Sequence, residues 1–126
     1  MMDLLLIGMG GFIGAAARYL IAGWLQDGFT SFPAGTLGVN VAGSFLLGLF
    51  MYLGDLRGFF TEEQRLFFAI GVLGAFTTMS TFSYESLRLF EQGETLLFTA
   101  NVLGTVGLTL LGVYLGRAAA IIIGGA

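Results

Sequence analysis

The chain has 126 residues, the length of one domain, and is 56% hydrophobic but only 10% charged, a balance that suits lipid rather than water as its solvent. It holds neither cysteine nor histidine, which excludes a disulfide framework, Cys/His metal sites, zinc enzymes and Cys or Ser/His hydrolases. The formal net charge of −3 comes with arginine as the only basic residue and no basic cluster to track a phosphate backbone, so nucleic acid is excluded as a partner.

Four segments are apolar for about 20 residues each, the length that crosses a bilayer: Leu4–Leu25, Ala34–Gly54, Leu66–Leu87 and Leu96–Leu115. The expected fold is an all-α membrane protein, a single membrane-embedded four-helix domain over residues 1–126 with both termini on one side. The opening "MMDLLLIGMGG" has Asp3 where a secretory leader carries basic residues, and its apolar run continues too far, so it reads as the first span. That span contains Arg18, the one arginine inside a predicted segment. A mid-membrane charge costs about 2.5–3.5 kcal/mol, which places Arg18 near a vestibule or interface. A short connection, "QDGFTSFP", ends on the sole proline, Pro33.

The second span, within "GTLGVNVAGS", sets Thr36, Asn40 and Ser44 four residues apart on one helical face. After "DLRGFFTEEQR" the third span runs into "GVLGAFTTMSTFSYE", where Thr77, Thr78, Ser80, Thr81 and Ser83 place five hydroxyls in seven positions. Gly71 and Gly74 precede this run, and Ser/Thr side chains compete for backbone partners, so a helix break is expected near residues 74–80. A break frees carbonyl oxygens, the ligands of hard cations such as sodium. Phe76 and Phe82 flank it, Thr81 and Ser83 lie beside it, and Glu85, the only acid near a span interior, closes the segment. A continuous helix with its phenylalanines facing lipid is the alternative reading. After "RLFEQGE" the fourth span repeats the polar stripe with Asn101, Thr105 and Thr109.

Such stripes in membrane helices often serve only to hydrogen-bond a neighbouring helix. Two stripes and a hydroxyl run together suggest a narrow wet path lined by neutral donors and acceptors. A cation route would show intramembrane carboxylates, and a tight anion site would show buried basic groups. Hydroxyls, amides and positive aromatic ring edges instead suit a small, strongly hydrated anion, held weakly enough to leave. Four spans enclose little volume, so the path needs a second copy or a groove at the edge of one. Arg57, Arg65 and Arg117 on the side of the termini stand against Arg88 and Arg18 on the other, so positive-inside bias is weak and insertion in both orientations is expected.

"GGFIGAAARY" at 10–19, "GTLGVNVAGSFLLG" at 35–48 and "GVLGAFTTMSTFSYE" at 71–85 resemble the Fluc/CrcB fluoride channels over essentially the whole chain. The resemblance implies an antiparallel, dual-topology homodimer in the cell membrane, with two pores that passively export fluoride and relieve its toxicity. It also implies a structural sodium ion at the dimer centre, not transported, held by the backbone carbonyls of Gly74 and Thr77. Asn40, Thr105 and Thr109 match pore positions of the family, Thr81 and Ser83 lie in its motif, and Phe82 matches the second of two phenylalanines whose ring edges face the anion. Met79 stands where the family has the first of them. Asn101 stands where some relatives have an aromatic residue. The competing class is a small dual-topology four-helix multidrug or cation exporter, which needs an acid in its first span where this chain has Arg18. A non-transporting assembly factor is the third option, and reconstituted flux discriminates it.

Overall fold

A computed structural model of the chain describes residues 1–124. In chain order it has α1 (Met2–Gln26), α2 (Ala34–Arg57), α3 (Glu62–Arg65), a π-wound stretch Leu66–Leu73, α4 (Gly74–Phe76), α5 (Met79–Glu91) and α6 (Thr95–Gly124). Four helical stretches are long and apolar enough to cross a membrane: α1, α2, the bent third span Glu62–Glu91, and α6. The four expected spans are therefore present, and their differences from expectation lie at the ends. The third begins at Glu62 rather than Leu66 because Thr61 opens a capping box: its Oγ1 accepts from the Gln64 N–H at 3.1 Å and its own N–H donates to Gln64 Oε1 at 3.0 Å. The fourth continues past Leu115 to Gly124 because Arg117 does not end it. The guanidinium lies 5.8 Å from the centre of the Tyr52 ring, an aromatic face that accommodates the charge.

Packing is inverted relative to a water-soluble bundle. The buried side chains include Thr36, Asn40, Ser86, Asn101 and Thr105, while Leu20, Trp24, Leu110 and Ile122 are exposed. Lipid supplies no hydrophobic drive between helices, so large apolar residues face outward and small ones let backbones approach. The only buried residues of α1 are Gly10 and Gly14. A Cβ on either would run into the carbonyl oxygen of Phe67 or Val72, so the α1 backbone rests directly on the π-wound stretch. The α2–α6 pair, the most extensive helix contact, is built the same way on Gly48, Gly112 and Gly116.

Candidate functional site: a broken third span between two clefts

The third span breaks at Thr77 and Thr78, whose φ/ψ pairs of −93°/155° and −149°/126° are extended. In hydrocarbon each freed backbone group costs several kcal/mol unless it finds a partner. Side chains supply several of those partners. Thr77 Oγ1 donates to the Leu73 carbonyl at 3.2 Å. Thr78 Oγ1 caps α5 by accepting from the Thr81 N–H at 3.3 Å. From α2, Asn40 Nδ2 donates to the Thr78 carbonyl at 3.0 Å while its Oδ1 accepts from the Thr78 N–H at 2.8 Å, so one amide pairs both polar groups of one residue. From α1, Arg18 Nε donates to the Ala75 carbonyl at 3.0 Å. That charge sits at the C-terminal end of α4, where aligned carbonyls favour a cation. Gly43 makes the approach possible: a Cβ there would meet the Thr77 methyl and come within 3.1 Å of the Phe76 ring.

Two clefts meet at Thr78. One, of about 290 Å³, lies among α1, α2 and α5 and is lined by Arg18, Gln26, Thr36, Thr78, Thr81 and Glu85, among others. The second, of about 230 Å³, lies among α2, the break and α6, with Asn40, Ser44, Thr77, Thr78, Met79, Thr105 and Thr109 on its walls. Among the described residues no charged side chain lines this second cleft. The N-cap Thr78 and the first residue of α5, Met79, do, and the positive end of a helix attracts anions. A third cleft, of about 290 Å³, shares Gln26 and Glu85 with the first and adds Thr30, Tyr84 and Arg88.

Of the residues singled out from the sequence, Asn40, Met79, Thr105, Thr109 and Thr77 gather in the uncharged cleft, and Arg18, Thr81 and Glu85 in the charged one. Met79 is 71% exposed on the single chain, and Gly74 is exposed too. Phe82 is buried and Ser83 exposed, and neither lines these clefts. The fourth-span stripe is wired along its own helix: Thr109 Oγ1 donates to the Thr105 carbonyl at 2.6 Å, and Thr105 Oγ1 donates more loosely to Asn101 Oδ1 at 3.4 Å. Asn101 is 1% exposed and lies outside the cleft. Its Nδ2 donates to Ser86 Oγ at 2.9 Å and so ties α6 to α5. Glu85 Oε1 is buried with no hydrogen-bond partner among the described residues. Sequence reasoning missed Thr78 and Ser86 as individuals. Thr78 was one hydroxyl among five, and its N-cap role follows only from where the break falls. Ser86 opens no motif, and its partner lies 15 residues away on another helix.

Residues 5–117 match the family described as CrcB-like protein, Camphor Resistance (CrcB). The chain belongs to the CrcB family. Among its CrcB relatives, a protein of Methanosarcina acetivorans named "Fluoride-specific ion channel FluC 1" is 54% identical over 121 residues, covering 96% of this chain and 92% of the relative. A second, "Fluoride-specific ion channel FluC 3" of Methanosarcina barkeri, is 50% identical with 96% and 92% covered. A third, "Fluoride-specific ion channel FluC" of Geobacter sulfurreducens, is 46% identical with 95% and 98% covered. The four apolar spans and this membership make the chain a multi-pass membrane protein of a channel family, not an enzyme.

Proposed function

We propose that this chain conducts fluoride passively across the membrane and thereby relieves fluoride toxicity. The observation that carries the reading is the cleft at the third-span break, whose polar groups are the amide of Asn40, the hydroxyls of Ser44, Thr77, Thr78, Thr105 and Thr109, and no charge. Neutral donors replace part of an anion's hydration shell without holding it, as throughput requires. The Thr105 hydroxyl, whose bond to Asn101 is long, turns toward an ion at little cost, whereas the short Thr109 bond resists turning. Arg18 lines the neighbouring cleft and Arg88 the third, each together with the Glu85 carboxylate that both clefts share.

The channel works as an antiparallel, dual-topology homodimer with two pores. In this reading a second copy closes each cleft, covers Met79 and brings the exposed Gly74 of both chains together. Phe82 and Ser83, which lie outside the clefts of the single chain, join the path only where the second copy completes it. The weak arginine asymmetry supports insertion in both orientations. A structural sodium ion at the centre is held by the Gly74 and Thr77 carbonyls, and it supplies a fixed positive charge that joins the copies. The donor set fits: neutral carbonyl oxygens suit a hard monovalent ion, and the described residues hold no His/Cys/Asp/Glu cluster for another metal.

One observation favours a second reading. The unpartnered Glu85 oxygen is a candidate proton carrier for a dual-topology cation exporter. Efflux from liposomes loaded with potassium fluoride, followed with a fluoride electrode after valinomycin is added, separates the two. Rapid fluoride loss, absent for chloride and independent of a pH gradient, is expected. Uptake of an organic cation driven by a pH gradient, with no fluoride efflux, would overturn the channel reading.

A further inference from the structure

A continuous helix delivers the N–H of residue i+4 to the carbonyl of residue i. Across the break two such deliveries are diverted by side chains. The Thr78 N–H, due at the Gly74 carbonyl, goes to Asn40 Oδ1 at 2.8 Å. The Thr81 N–H, due at the Thr77 carbonyl, goes to Thr78 Oγ1 at 3.3 Å. Three carbonyls around them are occupied, while Phe76 receives no such bond among the described residues. Leu73 accepts from both the N–H and the hydroxyl of Thr77, Ala75 accepts from Arg18, and Thr78 accepts from Asn40.

We propose that Asn40 and Thr78 are positioning residues for the cation site: each takes a backbone N–H that would otherwise satisfy Gly74 or Thr77, and so leaves those two carbonyl oxygens free to ligate sodium. The inference rests on the sodium reading above and adds how its two ligands are kept free. In hydrocarbon an N–H without an acceptor turns to the nearest carbonyl. Without Asn40 Oδ1, the Thr78 N–H reverts to Gly74, rewinds that turn and removes a ligand. Asn40 thereby belongs to two functions at once, since the amide that holds the break also lines the uncharged cleft. Arg18 has a complementary part: with Ala75 taken by its guanidinium, one of the two carbonyls between the ligands is withheld from the ion.

The test uses the full-length protein in liposomes, with two readouts that need no fluoride flux. The first is the sodium concentration that half-restores thermal stability after exchange into N-methylglucamine. The second is the carbonyl carbon resonance of ¹³C-labelled Gly74 or Thr77 by solid-state NMR, recorded with and without sodium. Asn40→Leu is expected to raise the sodium midpoint about tenfold, the loss of one hydrogen-bond-sized contribution, and to shift the Gly74 resonance even without sodium. Thr78→Val is expected to do the same at Thr77, and Thr78→Ser, which keeps the capping oxygen, to restore wild-type behaviour. Should Asn40→Leu fail to fold, the Thr78 pair decides alone. Unchanged midpoints and resonances in Asn40→Leu or Thr78→Val overturn the proposal. A wild-type protein with no sodium response would instead overturn the sodium reading, and the sodium-free Gly74 resonance would still decide whether Asn40 diverts the N–H.

Discussion

The α2–α6 pair and the third span solve the same problem, closing a backbone in lipid, by opposite means. Along α2 and α6 the helices are unbroken, every interior backbone group has its helical partner, and contact is made by removing side chains at Gly48, Gly112 and Gly116. Along the third span the helix is wound loosely over Leu66–Leu73, breaks at Thr77–Thr78, and is repaired by adding polar side chains from two other helices. The backbone of the first region is scaffold because it has nothing left to offer a solute, and only its side chains Asn40, Ser44, Thr105 and Thr109 reach the cleft. The second is chemically open, since a repaired break keeps donors and carbonyls at hand beside the clefts.

This contrast fails or sharpens under substitution. Gly116→Val should have the largest effect: its side chain meets the Phe45 carbonyl and the Leu49 N–H, contacts between backbones that cannot yield, and a cost of about 3 kcal/mol or more should abolish accumulation of folded protein. Gly107→Ala, in open space on the same helix, is the control, and detergent-extracted yield with size-exclusion profile is the measurement. Folded Gly116→Val protein would remove the scaffold from the comparison.

Gly74→Ala should act differently, because within one chain its Cβ lies an ordinary 3.6 Å from the Ala69 carbonyl oxygen. The chain should fold, while the dimerisation constant, read from single-molecule photobleaching over a range of protein densities, falls about tenfold, or about 1.4 kcal/mol, if Gly74 meets its counterpart. A fully dimeric variant would place the two-fold contact elsewhere.

Asn101 lies outside both clefts, and Asn101→Leu breaks its two side-chain bonds, to Ser86 and to Thr105. About 1 kcal/mol of stability should be lost, seen as a lowered thermal midpoint, with fluoride efflux slowed less than by Thr105→Val. Flux lost entirely without destabilisation would move Asn101 from clamp to pore. Thr77→Ser should have the smallest effect, within about twofold of wild-type efflux, because the hydroxyl that bonds Leu73 is kept. A large loss there would show that the methyl beside Gly43 shapes the break.

Four spans, their order and the polar faces of α2 and α6 were legible in the sequence, because length, hydropathy and a four-residue spacing are local properties of a helix. The break was legible as a region, since glycines before a hydroxyl run weaken the helix wherever the rest of the chain lies. Its position at Thr77–Thr78 was not, because Asn40 lies 38 residues away and Arg18 lies 57 residues before Ala75. Only the crossing of α1 and α2 over the third span brings those donors to the freed groups. For the same reason the sequence could set Asn101 in the same stripe as Thr105, but only the tertiary structure turned its amide toward Ser86 and away from the cleft. A helix face is set by spacing along one chain, whereas what that face meets depends on which helix packs against it.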